Sequence, residues 1–134
     1  MYETILIATD GSDSAERATD HALDLASRFD ADLHALYVVD TQRYGGSMVS
    51  DADAITADLE ERGRELLDDI ASRADVDVTT EIRSGRPSQL IGEYADEIDA
   101  ELVVIGNRGL GSGGEIGSTA ERVVRYVDRP VITA

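Results

Sequence analysis

Apolar runs and amphipathic stretches alternate along the 134 residues of the chain. The runs Thr4–Thr9, 33–39 and Leu102–Ile105 are almost entirely apolar, which is typical of parallel strands covered on both faces. Residues 76–82 alternate apolar and polar side chains, so we expect a strand nearer an edge of the sheet. Residues 130–133 predict a short fifth strand.

Segments with apolar residues three and four positions apart separate these strands and predict four helices. The first helix is expected from about Asp13, where Asp13 and Glu16 form a capping box. Pro87, after Gly85 and Arg86, suits the first turn of the third helix. The expected buried faces comprise Ala15, Ala18, Ala22, Leu25, Ala26 and Phe29 in the first helix, Ile55, Leu59, Leu66, Leu67, Ile70 and Ala74 in the second, Leu90, Ile91, Tyr94, Ala95 and Ile98 in the third, and Ala120, Val123, Val124 and Val127 in the fourth.

This alternation of strand and helix requires a parallel sheet with right-handed crossovers and helices on both of its faces. We therefore expect residues 1–134 to form one doubly wound, Rossmann-like α/β domain. Residues 41–50, which include Tyr44 and two glycines, predict a mobile loop between the second strand and the second helix.

The chain is strongly acidic, with 28 Asp and Glu residues, 12 basic residues and a formal net charge of −16. All 12 basic residues are Arg, and 17 of the acidic residues are Asp. These preferences favour a cytoplasmic protein of a salt-accumulating halophile, because molar salt shortens the Debye length to about 3 Å and screens the excess charge. The same charge argues against binding to nucleic acid or to an anionic membrane. No apolar run reaches the roughly 18 residues that a membrane-spanning helix needs.

Two predicted strands are followed by residues that suit a ligand. Ala8, Thr9 and Asp10 end the first strand, and the fourth strand leads into residues 106–117, where six of the 12 positions are Gly. In doubly wound sheets, ligands bind beyond the carboxyl ends of the strands, where the strand order reverses. Glycine exposes backbone N–H groups and the start of a helix adds partial positive charge, so the glycine-rich segment suits phosphate.

The local charge supports a phosphate site in the glycine-rich segment, and two common phosphate-binding motifs can be excluded. Residues 102–134 carry a net charge of +1 whereas residues 1–101 carry −17. The acidic excess therefore lies outside the glycine-rich region, which does not repel a phosphate. A P-loop is excluded because the chain has no Lys, and the first turn lacks the G-x-G-x-x-G pattern of dinucleotide-binding proteins.

The chain resembles the universal stress protein family along essentially its whole length. The resemblance is carried by ILIATDGS at 5–12, VVD at 38–40, GRP at 85–87, VVIGNRG at 103–109, GSTAERVVR at 117–125 and PVI at 130–132. It implies a five-stranded parallel sheet of order 3-2-1-4-5, with the switch point between the first and fourth strands. Both unusual segments would flank that point.

The resemblance also implies a site for ATP, or for ADP or AMP, together with Mg²⁺. Asp10 would hold the ribose or the adenine edge, and Val38 would touch the base. Gly106 and Gly109 would let the backbone approach the ribose and phosphates, while Gly117 and Ser118 would bind phosphates at the helix start. The other residues expected at this site are Ala8, Thr9, Ile105, Arg108, Ser112, Gly113 and Thr119.

The glycine-rich segment departs from the family's ATP-binding signature, G-x2-G-x9-G-[ST]. Between Gly109 and Gly117 the chain has seven residues rather than nine. The shorter loop, with Ser112 and Gly113, is compatible with a bound triphosphate. It is also compatible with a preference for AMP or ADP, or with the loss of nucleotide binding.

Several of these residues also have purely structural explanations. Ser118 and Glu121 form a capping box, and Asp10 can cap the first helix or bond nearby turn amides. Gly106 and Gly109 can serve tight turns, and Arg108 can be a surface charge. The two histidines, His21 and His34, are expected to be structural because they lie far from the carboxyl ends of the strands.

The sequence favours a nucleotide-binding sensor or regulatory module without a catalytic set. The alternative from the same family is a nucleotide-free interaction module that forms a homodimer. A third hypothesis, an adenylating enzyme of the ATP-pyrophosphatase type, needs an S-G-G-x-D-S loop that residues 10–14 match only superficially. The family resemblance implies a homodimer through the fifth strand, whose exposed edge offers unpaired backbone groups.

Overall fold

A computed structural model describes residues 2–40, 49–107 and 118–134. They form β1 (Thr4–Thr9), α1 (Asp13–Phe29), β2 (Asp32–Asp40), α2 (Val49–Arg73), β3 (Val78–Gly85), α3 (Pro87–Ile98), β4 (Leu102–Ile105), α4 (Ser118–Tyr126) and β5 (Val131–Thr133). Residues 41–48 of the predicted loop lie outside the described residues, and Val49 and Ser50 already belong to α2. Within the described ranges, no helix has both the length and the apolar character that crossing a membrane requires.

The strands form one sheet in the order β3-β2-β1-β4-β5, with every neighbouring pair parallel. This confirms the order that the family resemblance implies. The central strand is β1, in which Ile7 lies opposite Ala35 of β2 and Val104 of β4. The order reverses between β1 and β4, which places the switch point there. As its alternating pattern predicted, β3 is an edge strand, although it spans Val78–Gly85 rather than residues 76–82.

Helices cover both faces of the sheet, as the successive residues of β1 demonstrate. Ile5 and Ile7 pack in one apolar cluster with side chains of α1 and α2. Leu6 and Ala8 pack in a second cluster with side chains of α3 and α4. Burial of a large aliphatic side chain contributes about 1.5–3 kcal/mol. The two clusters therefore provide the main stabilisation of the doubly wound arrangement.

The beginning of α1 differs from the prediction. Ser12 is the N-cap, and its Oγ accepts a hydrogen bond from the N–H of Ala15 at 3.2 Å. The predicted capping box of Asp13 and Glu16 is therefore wrong. Ser12 has an extended backbone and places its hydroxyl over the first turn, so the cap lies one residue earlier than predicted.

Two apolar residues that were expected on buried faces are exposed. Val124 is 52% exposed because it lies about 100° around α4 from Val123, which is fully buried against the sheet. Phe29 is 37% exposed at the last residue of α1. Its ring packs edge to face on that of Tyr2, with 5.2 Å between the ring centroids.

A glycine lets α2 approach β2 closely. A Cβ atom on Gly63 would lie 2.5 Å from Cδ1 of Tyr37, whose side chain is only 3% exposed. Glycine inside a helix normally costs about 1 kcal/mol relative to Ala. Here the missing methyl group leaves room for the buried aromatic ring.

We predict that Gly63→Ala destabilises the protein by about 1–3 kcal/mol, since overpacking against the buried ring of Tyr37 outweighs the gain in helix propensity. Denaturant unfolding measures the change. The matched control is Gly92→Ala in α3, where the added Cβ would make an ordinary 3.6 Å contact with Cγ2 of Val127. That control should gain up to about 1 kcal/mol. Equal effects of the two substitutions would contradict the proposed overpacking.

Candidate functional site

The carboxyl ends of β1 and β4 lie side by side, which brings two predicted ligand-binding segments together. Ala8 of β1 lies opposite Ile105 of β4. The residues that follow, Asp10 on one side and Gly106 on the other, therefore leave the sheet next to each other. Since the strand order reverses between these strands, both segments flank the switch point.

The backbone of Gly106 packs directly against the first turn of α1. A Cβ atom on Gly106 would lie 2.5 Å from Oγ of Ser14 and 2.7 Å from the backbone N of Ala15. The second of these contacts involves backbone that cannot rotate away. Among the described glycines, positive φ angles occur at Gly11 and Gly85. Gly106 is therefore needed for close approach rather than for a left-handed turn.

Side chains hold the turn that follows β1. Oδ1 of Asp10 accepts a hydrogen bond from the N–H of Ser12 at 2.9 Å, and Oγ1 of Thr9 accepts one from the N–H of Gly11 at 3.2 Å. Asp10 thus bonds a nearby turn amide, as one of its two structural explanations expected, whereas the helix cap that the other expected is supplied by Ser12. Its second carboxylate oxygen, Oδ2, makes no hydrogen bond to the described residues, so the turn leaves one acceptor of Asp10 for a ligand.

Asp10 also lines a cavity of about 350 Å³ beside α2. Its other described lining residues are Gly11, Arg62, Glu65, Leu66 and Asp69. Three of the six residues are carboxylates, which accept hydrogen bonds from hydroxyl and amino groups and repel phosphate. This cavity therefore suits a sugar or a base rather than a phosphate, and it lies on the face of the sheet that α1 and α2 cover.

Three further predicted site residues share the face of the sheet that α3 and α4 cover. Ala8 and Ile105 are buried in the second apolar cluster, and Val38 packs against that cluster while remaining partly exposed. Val38 lies towards the carboxyl end of β2, opposite Arg83 of β3. An apolar surface is therefore present on this face near the end of the strands.

Much of the predicted phosphate-binding segment lies outside the described residues, namely Arg108, Gly109, Ser112, Gly113 and Gly117. The helix that follows is described, and it begins at Ser118 and Thr119, where the sequence predicted a helix start. The carboxylate of Glu121 accepts a hydrogen bond from Arg125 at 2.8 Å. A capping box between Ser118 and Glu121 stays a prediction.

Asn107 was missed by the sequence reasoning. Its Oδ1 atom is buried and has no hydrogen-bond donor among the described residues, while its backbone N–H donates to the carbonyl of Ala134 at 2.8 Å. A buried acceptor without a partner costs about 1–3 kcal/mol, so Oδ1 of Asn107 calls for a donor from outside the described residues. The one signal in the sequence is a polar side chain directly after the apolar strand and Gly106.

Neither histidine is at this edge of the sheet. His34 lies opposite Leu6, towards the amino end of β2, with its Nδ1 atom 3.3 Å from Oη of Tyr94. Burial lowers the pKa of His34, and the charge of Asp32 offsets part of this effect. His21 is exposed on α1. Both histidines lie away from the carboxyl ends of the strands, and their structural roles stay a prediction.

Comparison with known proteins identifies relatives over nearly the whole chain. Residues 1–134 match the sequence model of the Universal stress protein family. A universal stress protein of Methanocaldococcus jannaschii is 37% identical in an alignment of 139 residues, gaps included, which covers 98% of this chain and 81% of that protein.

Solved structures lead to the same group of proteins. A universal stress protein in complex with cAMP has a TM-score of 0.72 and 29% identity, covering 99% of this chain and 96% of that chain. The universal stress protein from Archaeoglobus fulgidus in complex with dAMP has a TM-score of 0.71 and 27% identity, covering 98% of this chain and 97% of that chain. Because its sequence matches the family model and its sheet has the strand order expected of the family, this chain belongs to the universal stress protein family.

Proposed function

We propose that this protein binds an adenine nucleotide, ATP or the related ADP or AMP, at the edge shared by β1 and β4. The observation that carries the proposal is the contact of Gly106 with the first turn of α1, because it joins the Asp10 turn to the start of the glycine-rich segment. The family members solved in complex with cAMP and dAMP support the class of ligand.

The proposed site has chemically different ends. Val38 offers an apolar surface to the base, and Oδ2 of Asp10 accepts hydrogen bonds from ribose hydroxyls. Gly117 and Ser118 bind phosphates at the N-terminus of α4, where backbone N–H groups and the helix dipole favour anions. Mg²⁺ accompanies the phosphates and offsets their charge.

The role that we propose is that of a cytoplasmic sensor or regulatory module in the stress response, not an enzyme. The chain has no Lys or Cys, and His34 lies towards the opposite end of the strands from Asp10. The net charge of −16 supports adaptation to high salt. Any hydrolysis would depend on Mg²⁺ and on a water molecule positioned by Asp10 or Ser118.

We further propose that the protein forms a homodimer through β5. Both the N–H and the carbonyl of Ala134 face β4, where they bond to Ile105 and Asn107. Backbone groups alternate along a strand, so those of Thr133 point to the open edge of the sheet. Val124, which is 52% exposed, lies on α4, the helix that leads into β5. Together they offer a second copy both backbone pairing and apolar area.

Titration of the protein with ATP and Mg²⁺ in molar KCl should give saturable binding, measured by calorimetry. Gly117→Val should weaken this binding at least about tenfold, because the branched side chain blocks phosphate access to the helix start. Gly92→Ala serves as the glycine control and should bind as the wild type does. Tighter binding of AMP than of ATP would indicate that the shortened loop does not reach the γ-phosphate. No saturable binding up to millimolar nucleotide would contradict the proposal and favour the nucleotide-free module.

Gly106→Ala should lower the free energy of unfolding by about 1–3 kcal/mol, since the new Cβ overlaps backbone atoms of α1. Denaturant unfolding tests this directly. Ser14→Ala removes the Oγ contact but also a buried hydrogen bond to Oγ of Ser12, so the reference for the double variant is Ser14→Ala alone. In that background Gly106→Ala should still be destabilising, because the contact with the N atom of Ala15 remains. No cost of Gly106→Ala in the Ser14→Ala background would show that the backbone contact does not matter.

Thr133→Pro should convert the dimer to a monomer in sedimentation at high salt, because it removes the outward-pointing N–H while leaving the bonds between β4 and β5. Thr133→Ala keeps the N–H and should remain dimeric. A wild-type protein that sediments as a monomer, or a Thr133→Pro variant that stays dimeric, would refute pairing through β5.

A further inference from the structure

A second cavity lies between the beginning of α3 and the exposed side of α4. Its volume is about 490 Å³, and the described residues that line it are Arg86, Ser88, Gln89, Arg122 and Tyr126. None of these five side chains is acidic, although the chain has 28 acidic residues. The described lining of this cavity is therefore basic, whereas three carboxylates line the cavity beside Asp10.

Both arginines of this cavity lack an ion-pair partner among the described residues. Ion pairs with Asp or Glu engage Arg28, Arg64, Arg73, Arg83, Arg125 and Arg129. Arg17 and Arg62 are the other described arginines without an ion pair, and Arg62 lies beside Glu65 and Asp69 in the first cavity. Two unpaired guanidinium groups on one cavity thus leave two positive charges for an external anion.

The first turn of α3 adds hydrogen-bond donors to the same cavity. Arg86 is the N-cap of α3, no side chain caps the helix, and the first turn has no acidic residue. Ser88 supplies a hydroxyl, and Nε2 of Gln89, which donates one hydrogen bond to Oε1 of Glu93 at 3.0 Å, keeps a second N–H. Guanidinium groups bind phosphate through paired, charge-assisted hydrogen bonds, which these neutral donors complement.

We propose that Arg86 and Arg122 bind the phosphate groups of a diphosphate- or triphosphate-bearing ligand in the groove between α3 and α4. Arg122 lies one turn of α4 beyond Ser118, and Arg86 directly follows the carboxyl end of β3. This assignment goes beyond the nucleotide site at β1 and β4. The phosphates belong either to the far end of a nucleotide bound there or to a separate phosphorylated ligand.

Inorganic pyrophosphate is the direct probe, titrated by calorimetry in a chloride salt without phosphate or sulfate. Arg86→Gln and Arg122→Gln should each weaken pyrophosphate binding about tenfold, as expected when one charge-assisted contact is lost. Arg17→Gln is the matched control, because Arg17 is an exposed arginine of α1 that also lacks an ion pair among the described residues and lies outside the cavity. Thermal unfolding should be unchanged in all three variants, since all three side chains are exposed.

Nucleotide titrations then identify the source of the phosphates. If they belong to the nucleotide at β1 and β4, the two cavity variants weaken ATP binding and leave AMP binding unchanged. If they belong to a separate ligand, ATP and AMP binding stay as in the wild type while pyrophosphate binding falls, and Gly117→Val retains pyrophosphate binding. The proposal is overturned if the wild type binds no pyrophosphate, or if Arg17→Gln weakens binding as much as the cavity variants do. A protein that binds pyrophosphate but no nucleotide would refute the nucleotide site alone.

Discussion

The central position of β1 is the constraint on which the rest of the structure depends. Because β1 pairs with β2 on one side and with β4 on the other, its side chains are covered by helices on both faces. Ile5, Leu6 and Ile7 are completely buried, so this strand must be apolar throughout its middle. The chain can become polar only where β1 ends. That end, at Thr9 and Asp10, is where the neighbouring β4 also leaves the sheet, and the switch point lies there because the strand order reverses between these two strands.

Ion pairs between elements compensate part of the large acidic excess. Arg73 of α2 contacts Glu16 and Asp20 of α1, which joins these two helices over one face of the sheet. Arg129, just before β5, contacts Asp96 at 3.2 Å and Asp99 at 3.1 Å at the end of α3. Each exposed pair contributes little by itself. Salt at molar concentration would screen the long-range repulsion of the other carboxylates more than it would weaken these direct contacts.

The sequence predicts some elements of this fold closely and others only approximately, for physical reasons. The bounds of β1 and β4 match because both strands are buried on each face and end abruptly at a polar residue or a glycine. The third strand begins two residues later than predicted and ends three residues later, because its alternating pattern starts before the pairing with β2 does and has no sharp boundary. Val124 was wrongly predicted to be buried because α4 spans only nine residues. Over so short a helix, the spacing of apolar residues does not define the buried face well.

The spacing of apolar residues along the chain is enough to predict the order of strands and helices. The reason is that side chains repeat about every 2 residues on one face of a strand and about every 3.6 residues on one face of a helix. The α/β class, the two-sided burial of β1 and the glycine-rich segment therefore follow from the chain alone. The contact of Gly106 with Ser14 and Ala15 joins residues far apart along the chain, and only the placement of β4 beside β1 creates it. The same holds for Arg86 and Arg122, which share a cavity because α3 and α4 pack on the same face. Periodicity describes one element at a time, whereas the meeting of two surfaces depends on how the elements are stacked.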